Sequence, residues 1–209
     1  MVDKISSWKF VEEFSEEPVA TLKARARADE FGIECVTPAT GAQLAFIASS
    51  LGAKAIVESG TGAGVSGLWL LSSSETSVLA TIDTEPEFQA AAKQAFQDAN
   101  IASNRTRVIS GRAIEVMSNM ADAAYDLVFL DADKETLEQQ LHEAVRLLRP
   151  GGVVVIAHAL WRDRVPDPAM RDEATVSYRD ALRFFTQNEN FVTAISAVGD
   201  GLLMASKRN

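Results

Sequence analysis

Apolar residues along this chain come in two spacings that alternate. Short apolar runs give way to stretches where apolar residues recur every third or fourth position, and then the runs return. Ala55-Ile56-Val57, Val78 to Ile82, Arg107 to Gly111, Tyr125 to Leu130 and Val153 to Ile156 read as strands. Helical spacing follows Gly67-Leu68-Trp69-Leu70-Leu71, resumes after Pro86, which suits a first helical turn, and runs up to Leu148. Arg149-Pro150-Gly151-Gly152 then reads as the stop of that last helix. Upstream, Trp8, Val11, Phe14, Leu22 and Ala26 predict helix from about Ser6 to Gly32, broken near Pro18. A turn-rich Val36 to Gly41 leads into another helix with Leu44, Phe46, Ile47 and Leu51. Downstream, Arg162 to Pro168 is a loop, a long helix follows, and Phe191–Ala197 and Leu202–Ser206 flank Gly199-Asp200-Gly201 as a hairpin. The alternation predicts an α/β fold with a doubly wound, mostly parallel seven-stranded sheet whose last strand is antiparallel. Neither repeats nor a linker interrupt it. The expectation is a single domain, 1–209, with 1–35 a helical extension and 36–209 the core.

The densest chemistry lies in Val57-Glu58-Ser59-Gly60-Thr61-Gly62-Ala63-Gly64-Val65-Ser66-Gly67. A strand reaches an acid, then glycines at alternate positions, then a helix start at Ser66. Backbone without side chains lets a ligand approach the helix-terminal N–H groups. An acid ahead of the glycines suits a ligand carrying positive as well as negative groups. S-adenosylmethionine (SAM), with its amino-acid tail, fits better than a bare pyrophosphate. Gly62-Ala63-Gly64-Val65-Ser66-Gly67 also matches the dinucleotide fingerprint, with Asp83 about where its ribose acid falls, so an NAD(P)-dependent oxidoreductase is the alternative. Against that alternative, the apolar run ends early at Val57, Glu58 stands at the strand end, and neither Tyr125 nor Tyr178 has a lysine four residues later.

Ligands of open α/β sheets sit beyond the carboxyl ends of the strands. Glu58, Asp83, Asp131 and His158 all fall there. Any one could be a helix cap; four around a glycine loop mark a site. Asp83 can accept bonds from both hydroxyls of a ribose. Gly111-Arg112-Ala113 is placed over an adenine edge or is a plain turn. Asp131-Ala132-Asp133-Lys134 can ligate a metal, hold a substrate hydroxyl or take its proton, or simply start a helix with acids.

Composition narrows the partners. A formal net charge of −9 disfavours nucleic acid, and the basic residues lie scattered among acids. The single cysteine, Cys35, excludes an intrachain disulfide and reads as an apolar filler. No apolar run approaches the roughly 18 residues of a membrane span and no signal-peptide h-region stands at the N-terminus, so the expectation is a cytoplasmic protein without membrane contact.

Taken together, Val36-Thr37-Pro38, Val57 to Gly62, Ser66, Thr81-Ile82-Asp83, Asp126 to Lys134, Leu147 to Gly152 and Leu160-Trp161 make the chain recognisable. It resembles the SAM-dependent O-methyltransferases of the catechol and caffeoyl-CoA type, including bacterial relatives, from about Val36 to Ala205. The resemblance implies a class I, Rossmann-like methyltransferase fold, methylation of a small hydroxylated molecule, and a homodimer. It implies that Glu58, with the Gly60, Thr61 and Gly62 loop, holds the amino-acid end of SAM and that Ser66 bonds its carboxylate. Asp83 would take the ribose, Thr84 and Ala113 the adenine, and backbone at Val36 would close the pocket. Asp131 would face the acceptor hydroxyl, with Lys134 as general base.

One departure matters as much as the match. Relatives that use Mg²⁺ or Ca²⁺ place Asp-Asn just past the fifth strand, paired with the aspartate corresponding to Asp131. Here those positions read Ala157-His158. Alanine cannot ligate and histidine is a poor partner for a hard cation, so no metal is expected; a softer Zn²⁺ or Mn²⁺ between Asp131 and His158 is the lesser option. His158 is then a second candidate base. A SAM-binding protein that has lost transferase activity is a further alternative.

Overall fold

Four strands, β1 (Ala55–Ser59), β2 (Val78–Asp83), β3 (Thr106–Ser110) and β4 (Tyr125–Leu130), run parallel to one another and to β5 (Leu148–Ile156). The computed structural model describes residues 4–131 and 134–209, the side chain of residue 134 excepted. A closing pair, β6 (Phe191–Ser196) and β7 (Leu202–Lys207), completes a seven-stranded sheet in the order β3-β2-β1-β4-β5-β7-β6. β7 is antiparallel to both neighbours, and the Gly199-Asp200-Gly201 turn joins it to β6. The chain winds outward from β1 to β3 and then returns to lay β4 on the other side. The crevice at this reversal, beyond the ends of β1 and β4, is where a ligand fits.

Each buried strand feeds two cores, because successive side chains point to opposite faces. Ile56, Leu79, Leu127, Phe129 and Val155 face α3 (Pro38–Leu51), α4 (Val65–Ser72) and α5 (Pro86–Asp98), meeting Leu44, Leu70 and Phe96. Val57, Ile82, Val128, Leu130 and Ile156 face α6 (Ala113–Met117), α7 (Leu137–Leu147) and α8 (Glu173–Thr186), meeting Met117, Leu141 and Phe185.

The N-terminal helical segment divides into α1 (Lys4–Phe14) and α2 (Val19–Phe31), separated at Pro18 as its ring demands. Thr37 caps α3 by accepting from the Thr40 amide at 3.3 Å, with Pro38 opening the helix. One boundary differs from the sequence expectation. Pro150-Gly151-Gly152 does not end a helix but lies inside β5, which opens at Leu148. The pairing with β4 slips between Tyr125↔Leu148 and Leu127↔Val153, and the slack is taken up by Gly151 at φ 77°. Gly111-Arg112-Ala113, open in sequence between a segment over an adenine edge and a plain turn, places Arg112 as the cap and Ala113 as the first residue of the short α6.

Candidate functional site

The five residues between β1 and α4 turn with three glycines at positive φ, Gly60 (97°), Gly62 (47°) and Gly64 (88°). Gly64 caps α4 without a side-chain bond, so the first turn of that helix presents its N–H groups to the crevice. The loop is tied to the end of β2. Gly62 donates its amide to Asp83 Oδ2 at 2.9 Å, Glu85 donates to Oδ1 at 3.0 Å, and Gly60 donates to the Ile82 carbonyl at 2.9 Å. The Asp83 carboxylate is thereby fixed at the strand end, with lone pairs left for a ligand.

These elements enclose a cavity of about 450 Å³. Gly60, Thr61, Gly62 and Ser66 line it from the loop, Asp83 and Thr84 from the end of β2, and Val36 and Ala113 also stand on its wall. Asp131, just past β4, lines the same cavity. Glu58 is placed otherwise. It is wholly buried beneath the loop and does not line the cavity. Its Oε2 accepts from the Thr81 hydroxyl at 2.7 Å, and Thr81 lies 2.7 Å from the Thr61 hydroxyl. Its Oε1 has no hydrogen-bond partner among the described residues. Burial pushes the Glu58 carboxyl up to about 7, against the neighbouring Ser66 and Thr81 hydroxyls. Sequence reasoning missed Glu34, Phe88 and Gln140 on the cavity wall. Only Phe88 left a signal, an aromatic in the first turn of the helix that Pro86 opens.

Beyond β4, His158 Nε2 lies 3.3 Å from Asp131 Oδ1, and Nδ1 lies 3.0 Å from Asp200 Oδ2. The hydrogen bond to Asp131 is the main cause that lifts the imidazole to about 9, with Asp200 adding to it. Burial holds the Asp131 carboxyl above its ordinary range in spite of His158. Near neutrality His158 therefore carries its proton and donates, where the sequence offered it as a base. Lys134, the other expected base, has its side chain outside the described residues, as does Asp133 entirely. Cys35 borders the cavity, and burial raises its thiol to about 11, which keeps it protonated and inert.

A folded-state pKa raised above the unfolded 6.5 means that His158 stabilises the fold fully below pH 6.5 and loses that contribution as pH rises through 9. The melting temperature is therefore expected to fall as pH rises between those limits. Calorimetry across pH 6.5–9 is expected to show this fall, and His158→Asn to flatten it; an equal slope in both would refute the assignment.

Among the described residues the donor set does not fit a hard divalent cation. Ala157 offers no side-chain oxygen, and both ring nitrogens of His158 already face carboxylates. A second cavity, about 570 Å³, adjoins the first through Glu34, which lines both. Arg162 and Asp163, from the loop after β5, stand on its wall with Trp8 and Asp200.

The family model described as O-methyltransferase matches residues 12–208. The chain belongs to the O-methyltransferase family. It is 48% identical, over 96% of its length and 90% of the relative's, to a probable O-methyltransferase, Rv1220c, of Mycobacterium tuberculosis. Its fold is similar to that of a protein from Corynebacterium glutamicum (TM-score 0.91, 30% identity, 99% and 98% of the two chains). It is also similar to the O-methyltransferase TomG from Streptomyces achromogenes, involved in tomaymycin synthesis and solved with SAM (TM-score 0.84, 25% identity, 100% of both chains). Membership in this family removes the oxidoreductase alternative. It also gives the glycine loop its setting: β1 ends at Ser59, and five residues rather than a tight turn separate it from α4.

Proposed function

We propose that this O-methyltransferase moves the methyl group of SAM to a hydroxyl of a small molecule bound beside Asp131. The observation that carries the reading is that Asp83 and Asp131, at the ends of β2 and β4, border one cavity floored by the glycine loop. Bound SAM would supply an electrophilic methyl; the protein supplies alignment and a deprotonating environment. Asp83 holds the ribose hydroxyls, Thr84 and Ala113 the adenine, and Val36 closes the pocket. The α4 amides with Ser66 take the carboxylate. Gly60, Thr61 and Gly62 bed the amino-acid end, with the Glu58 carboxyl buried beneath them and held by Thr81. Asp131 would receive the proton of the acceptor hydroxyl as its oxygen bonds the methyl carbon and that carbon's bond to sulfur breaks, with S-adenosylhomocysteine as the leaving group. The His158 imidazolium, donating toward Asp131, fixes that carboxylate and the oxygen beside it. Lys134 retains its family role as a further base. No divalent cation is assigned.

The same reading takes residues 1–35 as a helical extension of one catalytic unit formed by 36–209. It takes a second copy of the chain as the partner for the exposed apolar residues Ile5, Phe10, Phe14 and Val19 of α1 and α2. The cytoplasm is the compartment, and neither nucleic acid nor membrane is a partner. No helix among the described residues is long and apolar enough to cross a membrane.

S-adenosylhomocysteine (SAH) at about 100 times its dissociation constant is expected to stabilise the protein by about 2.7 kcal/mol, raising the melting temperature by roughly 5–10 °C. NADH at the same concentration is expected to do nothing. Methyl transfer to a panel of phenols is expected to be unchanged by EDTA. No shift with SAH would overturn the cofactor, and absence of turnover on every phenol would leave a binding protein instead of an enzyme.

A further inference from the structure

The β6–β7 turn is fastened to the segment that carries His158 more firmly than a hairpin needs. Ala159 donates to the Gly201 carbonyl at 3.0 Å and Leu160 donates to the Asp200 carbonyl at 2.9 Å. The Arg162 amide donates to Asp200 Oδ1 at 2.6 Å, leaving Oδ2 for His158 Nδ1. A Cβ on Gly201 would stand 2.8 Å from the Leu160 nitrogen, so the two strips of backbone touch without room for a side chain. The receiving segment is bent to match: His158, Trp161, Arg162 and Asp163 all have positive φ, between 42° and 60°. Non-glycine residues hold that conformation only where surrounding contacts enforce it.

The imidazole is gripped on three sides. Asp131 and Asp200 take its two nitrogens, and the Trp161 ring meets it edge-on at 6.1 Å and 84°. Trp161 in turn stacks on Tyr178 at 5.4 Å. Asp131 borders the cofactor cavity and Asp200 the adjoining one, and the His158 ring links the two carboxylates.

We infer that Asp200 is a positioning residue for methyl transfer: it holds His158 Nδ1–H and so aims Nε2 at Asp131 and at the acceptor oxygen beside it. The inference rests on the proposed function for its consequence in turnover, and on the geometry alone for the clasp. Fixing one ring nitrogen determines which way the other points. Where a carboxylate orients a metal-bound histidine, its loss costs on the order of 10–100-fold, and a loss toward the lower end of that range is expected for a histidine that only donates a hydrogen bond. Asp200 touches neither the cofactor cavity nor Asp131; it acts through the imidazole.

The test compares Asp200→Ala with Asp200→Asn, which keeps an oxygen able to accept from Nδ1–H. Alanine is expected to lower kcat about tenfold or more, with the SAH dissociation constant unchanged within twofold. Asparagine is expected to recover kcat to within about threefold of wild type. A role confined to holding the hairpin predicts a different pattern, in which SAH affinity and melting temperature fall together with kcat and asparagine gives no rescue. That pattern overturns the inference, as does an unchanged kcat in the alanine variant. Nitrogen-15 NMR of the His158 ring in the SAH complex decides the clasp without turnover. The Nδ1 resonance is expected to move in the alanine variant and to stay near its wild-type position in the asparagine variant; identical ring signals in all three proteins overturn it. If wild type itself transfers no methyl group, the proposed function fails while the NMR comparison still judges Asp200.

Discussion

Asp83→Ala is expected to weaken SAH binding about 100-fold while leaving the protein folded. The carboxylate stands at the end of β2 on the cavity wall, with each oxygen already accepting one backbone amide and able to accept one ribose hydroxyl. Hydrogen bonds to a charged acceptor contribute about 1.5–3 kcal/mol each, and two lost together amount to about 3 kcal/mol after partial replacement by water. The amides of Gly62 and Glu85 are freed at the same time, but at a loop edge where water reaches them, so the melting temperature of the unliganded protein is expected to change by only a few degrees. Isothermal titration calorimetry reads the affinity and differential scanning calorimetry the fold. Near-wild-type affinity would remove Asp83 from the ribose, and with it the orientation proposed for the cofactor. A large loss of stability in the unliganded variant would instead make Asp83 a structural clamp of the glycine loop.

The parts of this site that could be read from the sequence are those set by local chemistry. β2 and β4 are apolar runs that end in an acid, and a buried parallel strand has no other pattern to show. Pro86 and the three glycines of the loop announce themselves through backbone restriction or freedom. What stayed hidden depends on long-range packing. Glu58 looks like a ligand-facing acid in sequence, yet its strand continues through Ser59, and the alternation of β1 sends the carboxylate under the loop toward Thr81. Asp200 lies between two glycines and reads as turn chemistry; only the pairing of β7 beside β5 brings it to His158, 42 residues away in sequence. The opening of β5 was missed because Pro150-Gly151-Gly152 carries a stop signal that the sheet overrides with a register shift. α6 has five residues, too few for helical periodicity to emerge.

Gly64→Val should be the most damaging single substitution in the cofactor loop, because two independent costs meet there. At φ 88° a β-branched residue is strained by about 1–3 kcal/mol. The added Cβ would also lie 3.1 Å from the Cα and 3.2 Å from the Cβ of Ala92, the backbone of α5, which has no flexible end to move aside. Overpacking of this kind costs about 1–3 kcal/mol more, and the sum of about 4 kcal/mol lowers the melting temperature of a chain this size by roughly 10 °C. Gly52→Ala separates the two costs. Gly52 also has positive φ, 57°, at the end of α3, but nothing lies within 4 Å of its added Cβ, so only about 1 kcal/mol of backbone strain is expected. Relief of the Gly64 clash has to push α4 away from α5, which turns the first-turn amides from the crevice. SAH binding is therefore expected to vanish in Gly64→Val at temperatures where it is still folded, and to persist in Gly52→Ala. Equal losses of stability in the two variants would show that conformation alone requires glycine at position 64; retained SAH binding in Gly64→Val would show that the α4 amides do not hold the ligand.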